Sequence, residues 1–108
     1  IESDWETLVR LCKDALRPEY LQASEAAQVL VAAELIAAGN GKPSSQLPED
    51  AVVWLKGRKK PGPGVLKGAQ VALDRILKPK SELLETWEKT DDFGSWKREV
   101  EILGGRLW

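Results

Sequence analysis

The chain has 108 residues, 43% of them hydrophobic and 31% charged, with a formal net charge of -1. That length suits one apolar core in a single helical domain spanning 1–108, and the apolar fraction excludes a disordered tail. The charge balance removes any sequence-wide attraction to nucleic acid, and the single cysteine, Cys12, excludes an intrachain disulfide and fits a reducing cytoplasm. No run reaches the roughly 18 apolar residues of a membrane span, so a soluble protein is expected. The chain contains no methionine, which predicts a fragment or processed product that lacks its native N-terminal segment.

Ser3 followed by Glu6 forms a capping-box pattern, and Trp5, Leu8, Val9, Cys12 and Leu16 recur at helical spacing, so a first helix is predicted from Asp4 to Leu16. Ser24 is the expected cap of a second helix, Glu25 to Ala38, which is apolar nearly all round and therefore central. Gly39-Asn40-Gly41 marks its end. Pro48, Glu49 and Asp50 open a short third helix that runs to Lys56. The stretch Gly57-Arg58-Lys59-Lys60-Pro61-Gly62-Pro63-Gly64 has no apolar side chain that could anchor it and two prolines that forbid regular structure, so it reads as an exposed, mobile loop.

A fourth helix is predicted from Val65 to Leu77, with Leu66, Ala69, Leu73 and Ile76 on one face and Pro79 after its end. Ser81 caps a fifth through Trp87, and Phe93, Trp96, Val100, Leu103 and Leu107 form the stripe of a sixth. No alternating strand pattern, internal repeat or low-complexity tract is visible. These elements predict an all-α compact bundle of about six short helices.

The side-chain inventory is poor in chemistry. Histidine is absent, which removes the commonest general base and metal ligand, and one cysteine cannot build a tetrahedral zinc site. No Walker loop or dinucleotide fingerprint occurs, so no cofactor or metal is expected. Cys12, four residues from both Leu8 and Leu16, reads as a packing residue.

Glu34 interrupts the apolar second helix. A carboxylate in such a place must be paired, protonated or hydrogen-bonded. It is either a structural ion pair, with Arg75 as a partner, or a wet edge of the helix, or a catalytic acid lining a cavity with Glu25 or Arg75. Between residues 51 and 73 the only charges are positive, Lys56, Arg58, Lys59, Lys60 and Lys67. They read as a solvated loop or as a nucleic-acid site with Trp54 as its stacking aromatic. Glu82, Glu85 and Glu88 make the fifth helix acidic, either as a solvated face or as one that steers a basic partner. Trp54 and Trp108 are the tryptophans off the apolar stripes, and both are interface candidates.

The order of landmarks resembles a bacterial family, domain of unknown function 4259. The resemblance rests on Glu19-Tyr20-Leu21, Glu25-Ala26, Ala32-Ala33-Glu34, Leu47-Pro48, Trp54, Ser81-Glu82-Leu83, Trp87 and Trp96. It covers roughly residues 19 to 107. It implies a fold and transfers no active-site residues. Family members open with a segment containing glycine and tryptophan and a run of Asn and Asp, of which only Asp4-Trp5 is an echo here. The leading expectation is a non-enzymatic protein-interaction domain, of the immunity or antitoxin type among others, with a protein partner. The alternatives are a small carboxylate-dependent enzyme or ligand-binding protein, and a nucleic-acid binder using the basic loop.

Overall fold

A computed structural model describes residues 4–107. Six helices follow in chain order, and no strand occurs among the described residues: α1 Asp4–Asp14, α2 Ala23–Gly39, α3 Glu49–Leu55, α4 Pro63–Ile76, α5 Glu82–Glu88 and α6 Phe93–Gly105. The all-α expectation holds. The capping box at Ser3 and the position of Trp108 lie outside the described residues.

Helices α1, α2 and α4 pack on one another, and α3, α5 and α6 flank them. Alanines make this close approach possible: Ala26, Ala32, Ala33 and Ala37 on α2 and Ala69 and Ala72 on α4 are all buried. Val29, Ile36, Leu73, Ile76, Val100, Leu103 and Leu107 fill the space between them in one continuous core, with Cys12 among them. Leu16, placed on the α1 stripe by spacing, is instead 42% exposed. The chain leaves the helix at Asp14, where three-residue hydrogen bonds from Leu16 to Lys13 and from Arg17 to Asp14 tighten the turn.

The ends of α2 show two different kinds of stop. At the C-terminus Gly41 takes a φ of +85°, the Lys42 N–H donates to the Ala37 carbonyl at 3.0 Å and the Gly41 N–H to the Ala38 carbonyl at 3.0 Å. This is a Schellman closure, as Gly39-Asn40-Gly41 suggested. At the N-terminus Ser24 does not cap, because the helix already starts at Ala23 after Gln22. The Glu82 carboxylate accepts from the Ala23 N–H at 2.8 Å instead, so the cap comes from another helix.

The segment between α3 and α4 is tied down, contrary to its reading as an unanchored loop. Pro61 is buried, the Trp5 indole N–H donates to the Lys59 carbonyl at 3.0 Å, and Pro63 occupies the first turn of α4 rather than breaking it. A proline ring is apolar, and its missing N–H is harmless both in an irregular stretch and at a helix start. On the far side, Leu21 and Ser81 form an isolated parallel bridge. The buried Ser81 caps α5 by accepting from the Leu84 N–H at 3.5 Å, as its spacing predicted.

Candidate functional site

Glu34 is the one charge in α2 after Glu25, and the fold gives it a specific partner. Its Oε1 accepts from the Arg106 guanidinium at 2.7 Å, with side-chain exposures of 33% for Glu34 and 22% for Arg106. Arg106 sits at the C-cap of α6 and also donates to the Lys42 carbonyl at 3.2 Å. The pair therefore ties the end of α6 to α2 and to the turn that follows it. The other carboxylate oxygen, Oε2, is shielded from solvent and has no hydrogen-bond partner. Glu34 also lines an open cavity of about 200 Å³ with Leu30, Trp96, Glu99, Val100 and Leu103.

Arg75 is not the partner of Glu34. Its guanidinium donates to the carbonyls of Pro79 at 3.3 Å, Lys80 at 3.0 Å and Glu19 at 3.1 Å. Arg75 stands in the last turn of α4, where the chain turns back and carbonyls converge on it. It laces the loop before α2 to the loop before α5. Glu25, the other proposed companion, does not line the cavity.

The acidic face of α5 is largely occupied by the protein itself. Glu82 caps α2. Glu85 accepts from the Tyr20 hydroxyl at 2.7 Å, and this hydrogen bond, with the nearby carboxylates of Glu85 and Glu82, pushes the Tyr20 pKa up to about 12. Glu88 remains exposed.

Trp54 is half-buried rather than free. Its ring and that of Trp5 form a T-shaped pair with centroids 5.4 Å apart at 84°, and the Arg58 guanidinium lies 3.9 Å from the Trp54 centroid while Arg58 Nε donates to the Trp54 carbonyl at 2.6 Å. The indole is therefore already covered by a cation of its own chain. Lys56, Lys59, Lys60 and Lys67 are exposed.

One surface was missed by the sequence reading. Between α1 and α2 lies an open groove of about 280 Å³ lined by Leu8, Leu11, Ala27, Gln28, Val31 and Ala32, with Val31 62% exposed. The available signal was the run of apolar residues around α2, which requires neighbours on every side to be hidden completely.

Residues 3–99 match the family described as domain of unknown function (DUF4259). The chain belongs to the DUF4259 family. No curated protein and no solved structure matches it. The DUF4259 region starts sixteen residues earlier than the expected residue 19, so α1 belongs to the family domain rather than preceding it. It contains the groove, Glu34, Trp96 and Glu99, and it stops before Leu103 and Arg106. Among the described residues of this DUF4259 chain no helix is long and apolar enough to cross a membrane. Among the described residues no three His, Cys, Asp or Glu side chains are grouped to hold a metal ion.

Proposed function

We propose that this DUF4259 chain is a non-catalytic protein-interaction domain that works in the cytoplasm and docks a partner's apolar side chains on α1 and α2. The observation that carries this reading is the outer face of α2. Helical spacing puts Ser24, Ala27, Gln28, Val31, Leu35 and Ala38 on the side opposite the buried Val29, Ala33 and Ile36. None of the six is charged. A helix facing only water carries charge on such a face. A partner that meets it needs apolar groups and no compensating charge, because Leu8, Leu11, Ala27, Gln28, Val31 and Ala32 present none. The single cysteine supports a reducing compartment.

The test compares the chain with its Val31→Glu variant in affinity capture from an extract of the source organism. Val31 is exposed, so the variant should unfold within about 0.5 kcal/mol of the parent. The expected result is one protein held in stoichiometric amount by the parent and lost by the variant. Equal capture by both, or capture by neither, contradicts the reading.

A further inference from the structure

Two exposed surfaces of opposite charge stand at opposite ends of α2. At its C-terminal end Trp5 packs on Gly39 and Trp54 on Trp5, which places α3 and the basic run there. Helical spacing puts Val52, Val53 and Lys56 on one face of α3, and the two valines are 44% and 58% exposed. Lys59 and Lys60 are exposed as well, on a backbone pinned by the Trp5 indole and the buried Pro61, so their ammonium groups project from a fixed strip next to α3. None of Lys56, Lys59 and Lys60 pairs with a carboxylate among the described residues. At the N-terminal end Glu82 of α5 caps α2, and the corner where α5 meets α6 exposes Glu88, Asp91 and Asp92 around the half-buried Trp87 and Phe93, both packed on Trp96. Lys89 is the one cation between residues 82 and 92, and the neighbouring Lys80 is already paired with Glu19 at 2.8 Å. Because α2 has 17 residues, about 25 Å separates its two ends.

We propose that the α3 face docks a second copy of this chain through that copy's α5–α6 corner, so that copies associate head to tail. Charge complementarity selects this occupant. Aliphatic side chains edged by ammonium groups meet aromatic side chains edged by carboxylates, so apolar area is covered while opposite charges face each other. The two surfaces are different and lie at opposite ends, so a copy that uses one keeps the other exposed. The contact is therefore heterologous and propagates into a chain instead of closing as a twofold dimer. A nucleic acid fits the α3 face less well, because the aromatic that would stack a base, Trp54, is covered by Arg58 and the valines offer phosphates nothing. An anionic bilayer also fits less well, because Glu49 shares the face of the valines, whereas the corner carries a cation of its own in Lys89.

The proposal does not rest on the α1/α2 groove: Val31→Glu should associate like the parent, so either reading can fail alone. Sedimentation velocity of the full chain over a concentration series reads the association at ionic strengths of about 0.01 M and about 0.15 M, between which the screening length falls from about 30 to about 8 Å. The parent should form species beyond the dimer at the lower salt and associate roughly tenfold more weakly at the higher. Lys59→Gln with Lys60→Gln, and Glu88→Gln with Asp91→Asn, should each stay at the 12.0 kDa of the monomer. An equimolar mixture of these two double variants should stop at the dimer, since it holds one intact pair of surfaces. Val53→Ser changes no charge and should weaken association of the parent roughly fivefold, which a nonspecific attraction between charges would not show. All five positions are exposed, so the variants should fold. A parent that stops at a dimer, or whose association survives either double variant or ignores Val53→Ser, overturns the proposal. A parent that stays monomeric at the lower salt overturns it too, and binding of a single-stranded oligonucleotide or of phosphatidylglycerol vesicles by that monomer would give the basic run to that ligand instead.

Discussion

Gly39 offers the sharpest test of the packing, because space and backbone make opposite demands on it. A Cβ placed there would lie 2.5 Å from Cη2 and 2.7 Å from Cζ2 of Trp5, and 3.2 Å from Cδ of Pro61. The indole cannot swing aside freely, since Trp5 is only 6% exposed and its N–H is bonded to the Lys59 carbonyl. Only Gly41 and Gly57 among the described glycines have positive φ, so the backbone at Gly39 accepts alanine and the clash is the whole difficulty. Overpacking of this kind costs about 1–3 kcal/mol, while the gain in helix propensity is at most about 1 kcal/mol. Gly39→Ala should therefore lose about 1–2 kcal/mol, a fall in Tm of roughly 5–10 °C for a domain of this size. Gly68→Ala is the control. It stands inside α4 and its Cβ would meet nothing nearer than Val9 Cγ1 at 4.0 Å, so it should gain about 0.5–1 kcal/mol. Urea unfolding followed by far-ultraviolet circular dichroism measures both. In a Trp5→Leu background the Gly39→Ala loss should shrink by about 1 kcal/mol or more, as expected for residues in contact. A Gly39→Ala protein as stable as Gly68→Ala, or an undiminished loss without Trp5, refutes the reasoning.

Three further outcomes follow from the side-chain environments. Tyr20 is the sole tyrosine, so absorbance near 295 nm should report its ionisation directly, with a midpoint about 12 that returns towards 10 in Glu85→Gln. Because the folded pKa is the higher one, this group's contribution to stability is complete below pH 10 and is lost as the pH rises towards 12. Burial pushes the Cys12 thiol up from 9.0 to about 11. A thiol reagent at pH 8 should therefore label it at a rate that follows unfolding, and rapid labelling of the native chain would place Cys12 at the surface. The same sign applies, since the unfolded chain ionises first and stability falls as the pH rises between 9 and 11. For the Glu34–Arg106 pair, a double-mutant cycle with Glu34→Gln and Arg106→Gln should give a coupling of about 1–2 kcal/mol, above the median of exposed pairs. A coupling near zero would show that the 2.7 Å contact does not hold α6 in place.

What the sequence made legible depended on how far away each cause lies. The stripe Phe93, Trp96, Val100 and Leu103 located α6 because helical periodicity is written within a few residues. Ser81 was found as a cap for the same reason. The start of α2 was misplaced because its cap is Glu82, 59 positions downstream, and a local rule searches only for a neighbouring side chain. The segment 57–62 was misread because its anchors are Pro61 and the backbone carbonyl of Lys59. A proline is usually counted as a break, and a carbonyl leaves no mark in the sequence. Glu34 stood out as an anomaly, yet its partner is 72 positions away, and nothing distinguishes Arg106 from Arg75 until α4 and α6 are placed.

The face of α2 illustrates a further limit. An apolar surface all round a helix announces that it is central, but not that every side is covered. Here α1, α3, α4, α5 and α6 all touch it, and Ala26, Val29, Ala32, Ala33, Ile36 and Ala37 are buried, yet the strip through Ala27 and Val31 is left open. Small residues keep that strip tolerable in water, since Ala27 adds little apolar area and Gln28 is polar; of its two large apolar side chains Leu35 is half-buried and Val31 is exposed. That is why Val31→Glu is informative even before a partner is captured. If the strip evolved only to face solvent, a charge there should be neutral in every assay, whereas a docking strip would lose its partner at unchanged stability, because a buried and unpaired carboxylate at the interface is penalised by several kcal/mol.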